Sequence, residues 1–277
     1  MRSLGLLAIS AGLLLTSFHS QAQLVSESDD ESKLYAETKQ LNQFFRRFNG
    51  EEDEKGNRYY EKDKEYRSVN LRKKYLPILF DKENASLSRD LKVEFADQVL
   101  DKKDPAFLNF HDANWFAEVN TIFMLKGKAQ PFTLYLQLEK QNDGSKWVIY
   151  NVYSPYLAKY FDRDTSQTAN FLHPMSHELD FMNLHKAFGH TEEVAAYTNK
   201  DYRSDLISIF IYEIKNGNLK FQTVTSLNFH LFQLDGWYLE LSEFNRPGYN
   251  RGWLISDLVK VNNEEKGLLK SHIMHEK

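Results

Sequence analysis

Apolar and polar positions alternate along two well-separated stretches of this chain, and a similar short phrase ends both. Thr133-Leu134-Tyr135-Leu136-Gln137-Leu138-Glu139 runs into Asn142-Asp143-Gly144-Ser145-Lys146-Trp147. Ser226-Leu227-Asn228-Phe229-His230-Leu231-Phe232 runs into Leu234-Asp235-Gly236-Trp237. Each reads as a strand, an Asp-Gly turn and a Trp that opens the next strand. Each also follows a longer stretch read as a strand and ending at a Gly-containing turn, residues 117–127 in one copy and 205–217 in the other. The offset of roughly ninety residues is too long for a solenoid unit and suits a small domain. The pattern predicts two tandem domains of one kind.

The remaining elements follow from the same reading. Leu34, Leu41, Phe45 and Phe48 recur at helical spacing, Phe44 widens the stripe, and Gly50 stands where a helix would stop. Residues 51–67 are a charge-dense loop with no apolar period, expected to be mobile. Leu71, Tyr75 and Ile78 suggest a short helix disturbed by Pro77, and Ser86 or Ser88 can cap a better one carrying Leu87, Leu91, Phe95 and Val99. Beyond Pro105 come three alternating strands, around residues 117–125, 134–138 and 147–149. The polar interval 162–170 is the expected domain boundary. The second unit opens with helical patterning over 178–188, closed by Gly189, and a short helix over 191–199. Four strands are then expected, over 206–214, 219–231, 237–244 and 253–259, with Asn216-Gly217-Asn218 and Asp235-Gly236 as hairpin turns. The charged tail from Asn262 is expected to fray.

Helices first and a long antiparallel meander last, twice over, is an α+β pattern of two tandem domains, each a curved cone-like sheet covered by its helices. The divisions are a leader at 1–22, a first domain at 23–165, a second at 166–262 and a tail at 263–277. In outline this resembles the nuclear-transport-factor-2-like (cystatin-like) cone fold, a likeness of topology carried by no diagnostic motif. Phe44-Phe45-Arg46-Arg47-Phe48-Asn49, Ala113-Asn114-Trp115-Phe116-Ala117-Glu118-Val119 and His173-Pro174-Met175-Ser176-His177 are together similar to uncharacterised exported proteins of Bacteroidetes. That resemblance implies a periplasmic setting and no activity.

The N-terminus points the same way. Arg2, the apolar run Leu4 to Leu15 and Ser20-Gln21-Ala22 form the three parts of a secretory signal, with cleavage expected near Ala22. The run is too short to span a bilayer, and no later stretch approaches spanning length. There is no cysteine, so no disulfide, lipid-anchored thiol or thiolate ligand is available. Losing Arg2 leaves the chain one unit more negative than its net −4, which argues against a nucleic-acid partner.

Candidate chemistry is thin. His173, His177, His185 and His190 cluster, and the first two have the spacing of two zinc ligands, but Pro174 puts His173 at a helix entrance and no third ligand completes the set. His111-Asp112 resembles a base and its orienting carboxylate, yet neighbours on a strand face opposite ways. Asp97, Asp101 and Asp104 lack the spacing of a calcium loop, and no phosphate loop, nucleophile elbow or zinc-protease motif is present. Arg46 and Arg47 read as a solvated face near a helix end. The expectation is therefore no cofactor, no metal and no catalytic residue. The tip Arg246-Pro247-Gly248-Tyr249-Asn250-Arg251-Gly252 stands apart, because a tight turn does not itself need two arginines and a tyrosine. Arg246, Tyr249 and Arg251 are the residue types in which binding energy concentrates, so they are the candidate contact patch for a protein or glycan.

The function these features support is a periplasmic or secreted, non-enzymatic binding or scaffolding protein in an envelope assembly, with a protein partner. The alternatives are a cone-pocket enzyme or small-ligand binder, or a carbohydrate-binding protein. An open polar pocket holding a buried carboxylate or histidine would favour the enzyme, and a cone filled by aromatic rings the scaffold.

Overall fold

Phe44, Phe45 and Phe48 lie buried along the first helix, α1 (Leu41–Asn49), as their spacing predicts. The computed structural model describes residues 41–141, 144–158, 171–189, 191–199, 205–248 and 250–276; the expected leader at 1–22 and Leu34 lie outside them. Gly50 ends α1 at φ +70°, with its N–H donated to Arg47 O and that of Glu51 to Arg46 O, a Schellman stop. Ser68 caps α2 (Val69–Tyr75), Pro77 sits in the 3₁₀ turn Leu76–Ile78 that closes it, and Ser88 caps α3 (Arg89–Val99). The charge-dense loop before α2 is tied internally. Glu52 pairs with Arg58 in a β-bridge, and the Asp53 carboxylate accepts the N–H groups of Lys55 and Asn57. Arg46 and Arg47 do not form a solvated face. Both guanidinium groups bond the fully buried Glu52 carboxylate, at 2.6 and 3.2 Å, because a charge that enters a core needs a partner.

Six strands follow: β1 (Trp115–Leu125), β2 (Lys128–Gln141), β3 (Gly144–Tyr153), β4 (Leu219–Leu231), β5 (Trp237–Phe244) and β6 (Gly252–Lys260). They form one antiparallel sheet in the order β3-β2-β1-β4-β5-β6. The expected pair of tandem domains, each with its own curved sheet, is thereby overturned. The two meanders are real, but their first strands pair with each other from Trp115↔Leu231 to Leu125↔Leu219. A lone three-stranded meander would leave the inner edge of its first strand without partners, and each meander satisfies the other's. Residues 162–170, the expected boundary, lie outside the described residues.

The main core crosses the supposed boundary as well. Alternate residues of β1, β4, β5 and β6 face α1 and α3, so first-half helices cover second-half strands. Phe95 of α3 meets Trp237 edge-on at 5.2 Å, and Phe45 of α1 stands 5.2 Å from Trp115. Before α3, Leu79 O accepts from Ile255 N–H and Asp81 N–H donates to Ile255 O, stitching this segment to β6.

The second half departs from expectation before β4. After the single turn α4 (Pro155–Ala158), residues 171–189 and 191–199 form short 3₁₀ turns (Pro174–Leu179, Met182–Leu184, Thr191–Tyr197) and α5 (His185–Gly189) rather than two regular helices. The stretch expected as a strand over 206–214 is a helix, α6 (Leu206–Lys215). A short apolar run has no period that separates buried strand from buried helix, and the ends decide. The Asp205 carboxylate accepts from Ile207 and Ser208 N–H. At the other end Gly217 N–H donates to Ile214 O and Asn218 N–H to Glu213 O. Asn216-Gly217-Asn218 is thus a helix stop and not a hairpin. The tail is also ordered as helix: α7 (Asn263–Ile273) begins with a reciprocal Asn262–Glu265 capping box.

Candidate functional site

Two groups of helices share one face of the sheet. α1 and α3 cover its β5–β6 side, while α6 lies over the far ends of β1 and β2, where Phe210 meets Phe123 at 5.4 Å and Phe132 at 5.8 Å. Beside the start of α1, over β1 to β4, lies an apolar cleft of ≈ 430 Å³. Val119, Leu136, Trp147 and Leu227 floor it, and Leu41 and Phe110 form its lip. The only polar lining side chain among the described residues is Asn42.

Leu227 also belongs to an open strand edge. β5 pairs with β4 only from Asn228 to Leu231, so among the described residues the length 219–227 has β1 on one side and no strand on the other. Register shifts place bulges at Thr225, between Asn120↔Ser226 and Thr121↔Val224, and at Gln222, between Ile122↔Thr223 and Phe123↔Phe221. Phe232 N–H donates to Asn114 O and Lys126 N–H to Asn218 O, which fixes the phase of the ladder. The backbone groups of Leu219, Phe221, Val224 and Leu227 consequently point away from β1. Opposite Leu125, Phe123, Thr121 and Val119, these four also carry their side chains on the helix-bearing face.

The apolar surface continues onto α6. This helix is apolar nearly all round: Phe210 points in, while Ile211, Tyr212 and Ile214 are exposed, Tyr212 at 64%. Phe221 is 60% exposed and Val224 is exposed beside it. Separately, the segment from 171 to 189 exposes Phe171, Leu179, Met182 and Phe188.

The residues singled out from the sequence fall elsewhere. Arg246 is turned inward, with Nη2 2.6 Å from Asp81 Oδ1, Nη1 2.8 Å from Glu83 and Nε 2.7 Å from Asn250 O. Asn250 Nδ2 in turn bonds Phe80 O at 2.8 Å, so this corner clamps the hairpin to the segment ahead of α3. Arg251 is half-buried and engaged, and Tyr249 lies outside the described residues. The histidine cluster turns to its own backbone. His173 Nδ1 accepts Met175 N–H, the Nδ1 atoms of His177 and His185 lie 3.0 Å from Pro174 O and Met182 O, and His190 is outside the described residues. His111 Nδ1 contacts Ser145 Oγ at 3.2 Å, and Asp112 receives Asn114 N–H, a local turn.

Sequence reasoning missed a polar seam on the opposite face. Buried His230 has Nε2 3.0 Å from Glu118 and Nδ1 2.8 Å from the Tyr238 hydroxyl, which reaches Glu240 at 3.4 Å. Burial works to raise the Glu118 carboxyl, but bonds from His230 and Asn120 and the nearby imidazoles outweigh it and hold the group below its ordinary range. Burial first, then the Glu240 and Asp257 charges, push the Tyr238 phenol upward. Both His230 nitrogens are engaged, so no lone pair is free for substrate. α7 docks beside this seam through Met274, the Tyr135 hydroxyl bonded to Ile273 O at 2.6 Å, and His275 stacked on Tyr153. The hint in the sequence was polar Glu118, Asn120, Asn228, His230, Glu240 and Ser242 at alternate positions of three strands.

Among the described residues no group of three or more His, Asp or Glu is placed to hold a metal ion. No helix among them is long and apolar enough to cross a membrane. Comparison with family models, curated proteins and solved structures returns no match.

Proposed function

We propose that this chain is an exported, non-enzymatic binding or scaffolding protein of an envelope assembly that engages a protein partner through α6 and the exposed start of β4. The observation that carries this reading is α6 itself. A helix apolar nearly all round is ordinarily buried, yet this one turns Ile211, Tyr212 and Ile214 to solvent, and Phe221 and Val224 of β4 are exposed as well. Two further features favour binding over catalysis. The face under α1 and α3 is filled by aromatic rings, and the buried histidine and carboxylate of the other face saturate one another. The test is recovery of partners from the native envelope with wild-type protein and with Ile211→Ser/Tyr212→Ser. One stoichiometric partner retained by wild type and lost by the variant is expected. Recovery of the same partner by both proteins, or of none by wild type, would overturn the reading.

A further inference from the structure

We infer that the open edge of β4, residues 219–227, takes an extended segment of a partner protein as an added strand; this deepens the proposed binding function and rests on it. An apolar surface alone does not choose between a docked helix, a second copy and a strand. The backbone does. Among the described residues Leu219, Phe221 and Leu227 turn N–H and C=O groups outward with no strand opposite, Val224 turns its N–H outward while its C=O accepts from Thr223 Oγ1 at 3.1 Å, and another extended backbone satisfies such a row. Four outward positions along nine residues give an edge roughly 30 Å long.

The side chains specify what that strand carries. The same four residues show apolar side chains on the helix-bearing face, so the incoming segment places its own apolar residues there, two apart. The ≈ 430 Å³ cleft opens beside Leu227 and is deep enough for one large apolar side chain. Toward the other end of the edge stand Lys126, Lys215 and Lys220, all exposed, and among the described residues near them the carboxylate is that of Glu213. None of these lysines makes an ion pair among the described residues, although the chain as a whole is acidic. An uncompensated cationic end on an acidic protein fits a segment whose acidic residue lies beside Lys220. A second copy of this chain fits less well, because its edge would bring two bulges of its own, the device by which natural edges resist self-pairing.

The experiment is selection from a displayed library of random peptides about twelve residues long, enough to cover the edge, on the full chain. Enriched peptides are expected to alternate apolar residues and to carry Asp or Glu toward one end. A synthetic representative should slow amide hydrogen exchange at Leu219, Phe221, Val224 and Leu227. Val224→Pro removes one outward N–H without touching the β1 ladder, and should leave the melting temperature in place while weakening the peptide roughly tenfold or more. Should that variant unfold, Lys220→Glu carries the test, with the same loss expected for the acid-ended peptide. Enrichment of peptides with helical apolar spacing, no enrichment at all, or affinity indifferent to both substitutions would overturn the inference. So would a dimer in light scattering that Val224→Pro dissolves, which would assign the edge to a second copy. Peptide binding as described with no partner in the envelope would leave strand addition standing and sink the binding role. A native partner that depends on Tyr212 but not on Val224 would do the reverse.

Discussion

The two ends of the helix-covered face use the same kinds of side chain and finish them differently. Around α1 and α3, Phe45, Trp115, Phe229 and Trp253 follow one another at ring separations of 4.9–5.6 Å, and all four are buried. Under α6, Phe123, Phe132 and Phe210 stand 5.2–5.8 Å apart, yet the next ring out, Phe221, lies 5.6 Å from Phe123 with most of its surface in water. The first end is closed by elements from both halves of the chain. The second is a smaller core, where Phe210 of α6 and Leu157 of α4 pack with Phe123, Phe132 and Leu219, with an apolar outer rim. Stability should therefore be concentrated at the first end, and surface apolarity at the second is left for another molecule.

The largest effect expected of that contrast is at Trp237. It is fully buried, faces Phe95 and donates Nε1–H to Gln98 Oε1 at 2.7 Å. Trp237→Ala should cost about 3–5 kcal/mol in denaturant unfolding, and Phe210→Ala at the open end should cost clearly less. Equal losses would break the comparison. Next comes the clamp at the finished end. Arg246→Ala leaves the Asp81 carboxylate, only 9% exposed, without its cation and should cost about 1–3 kcal/mol, with part regained in Arg246→Lys. If Arg246→Ala is neutral, the corner is not part of what closes this end.

Much of this architecture was legible in the chain. The positions of β4 and β5, the Gly50 stop and the Ser88 cap follow from alternation, φ requirements and cap chemistry, all of which are local. The pairing of β1 with β4 was not legible, since an alternating strand says which face is buried and nothing about which strand lies beside it. The repeated phrase also misled. It matched β2 with β4, whereas β2 is the second strand of its meander and β4 the first, so their equivalence was one of turn chemistry only. Arg246 looked like surface because its acceptors, Asp81 and Glu83, lie far back in the sequence. The open edge did leave a trace, in the thirteen residues of β4 against eight in β5, which cannot be covered from end to end.

A smaller effect tests whether the finished end extends through the sheet to its other face, where Glu118 and His230 sit directly behind Ala117 and Phe229. The Glu118 carboxyl is held below its ordinary value of 4.5 in the folded protein. Its contribution is therefore complete above that value and is lost as pH falls through the folded one. Glu118→Gln should be less stable than wild type at neutral pH, and the gap should close on acidification below about 4.5. A gap unchanged down to acid would mean that the carboxylate's charge does nothing for this face.

The smallest effect expected is at the open end itself, where it says most. Ile211 and Tyr212 are exposed, and exposed substitutions away from caps and cores usually shift stability by no more than about 0.5 kcal/mol. Ile211→Ser/Tyr212→Ser should therefore unfold at nearly the wild-type denaturant midpoint while losing the envelope partner. A large loss of stability would show that these side chains cover part of the chain's own core, and the open end would then be as finished as the other. An unchanged midpoint with lower aggregation and no lost partner would make the rim a tolerated defect rather than a surface kept for use. Only an unchanged fold together with a lost partner preserves the distinction between an end that holds the protein together and an end that meets another molecule.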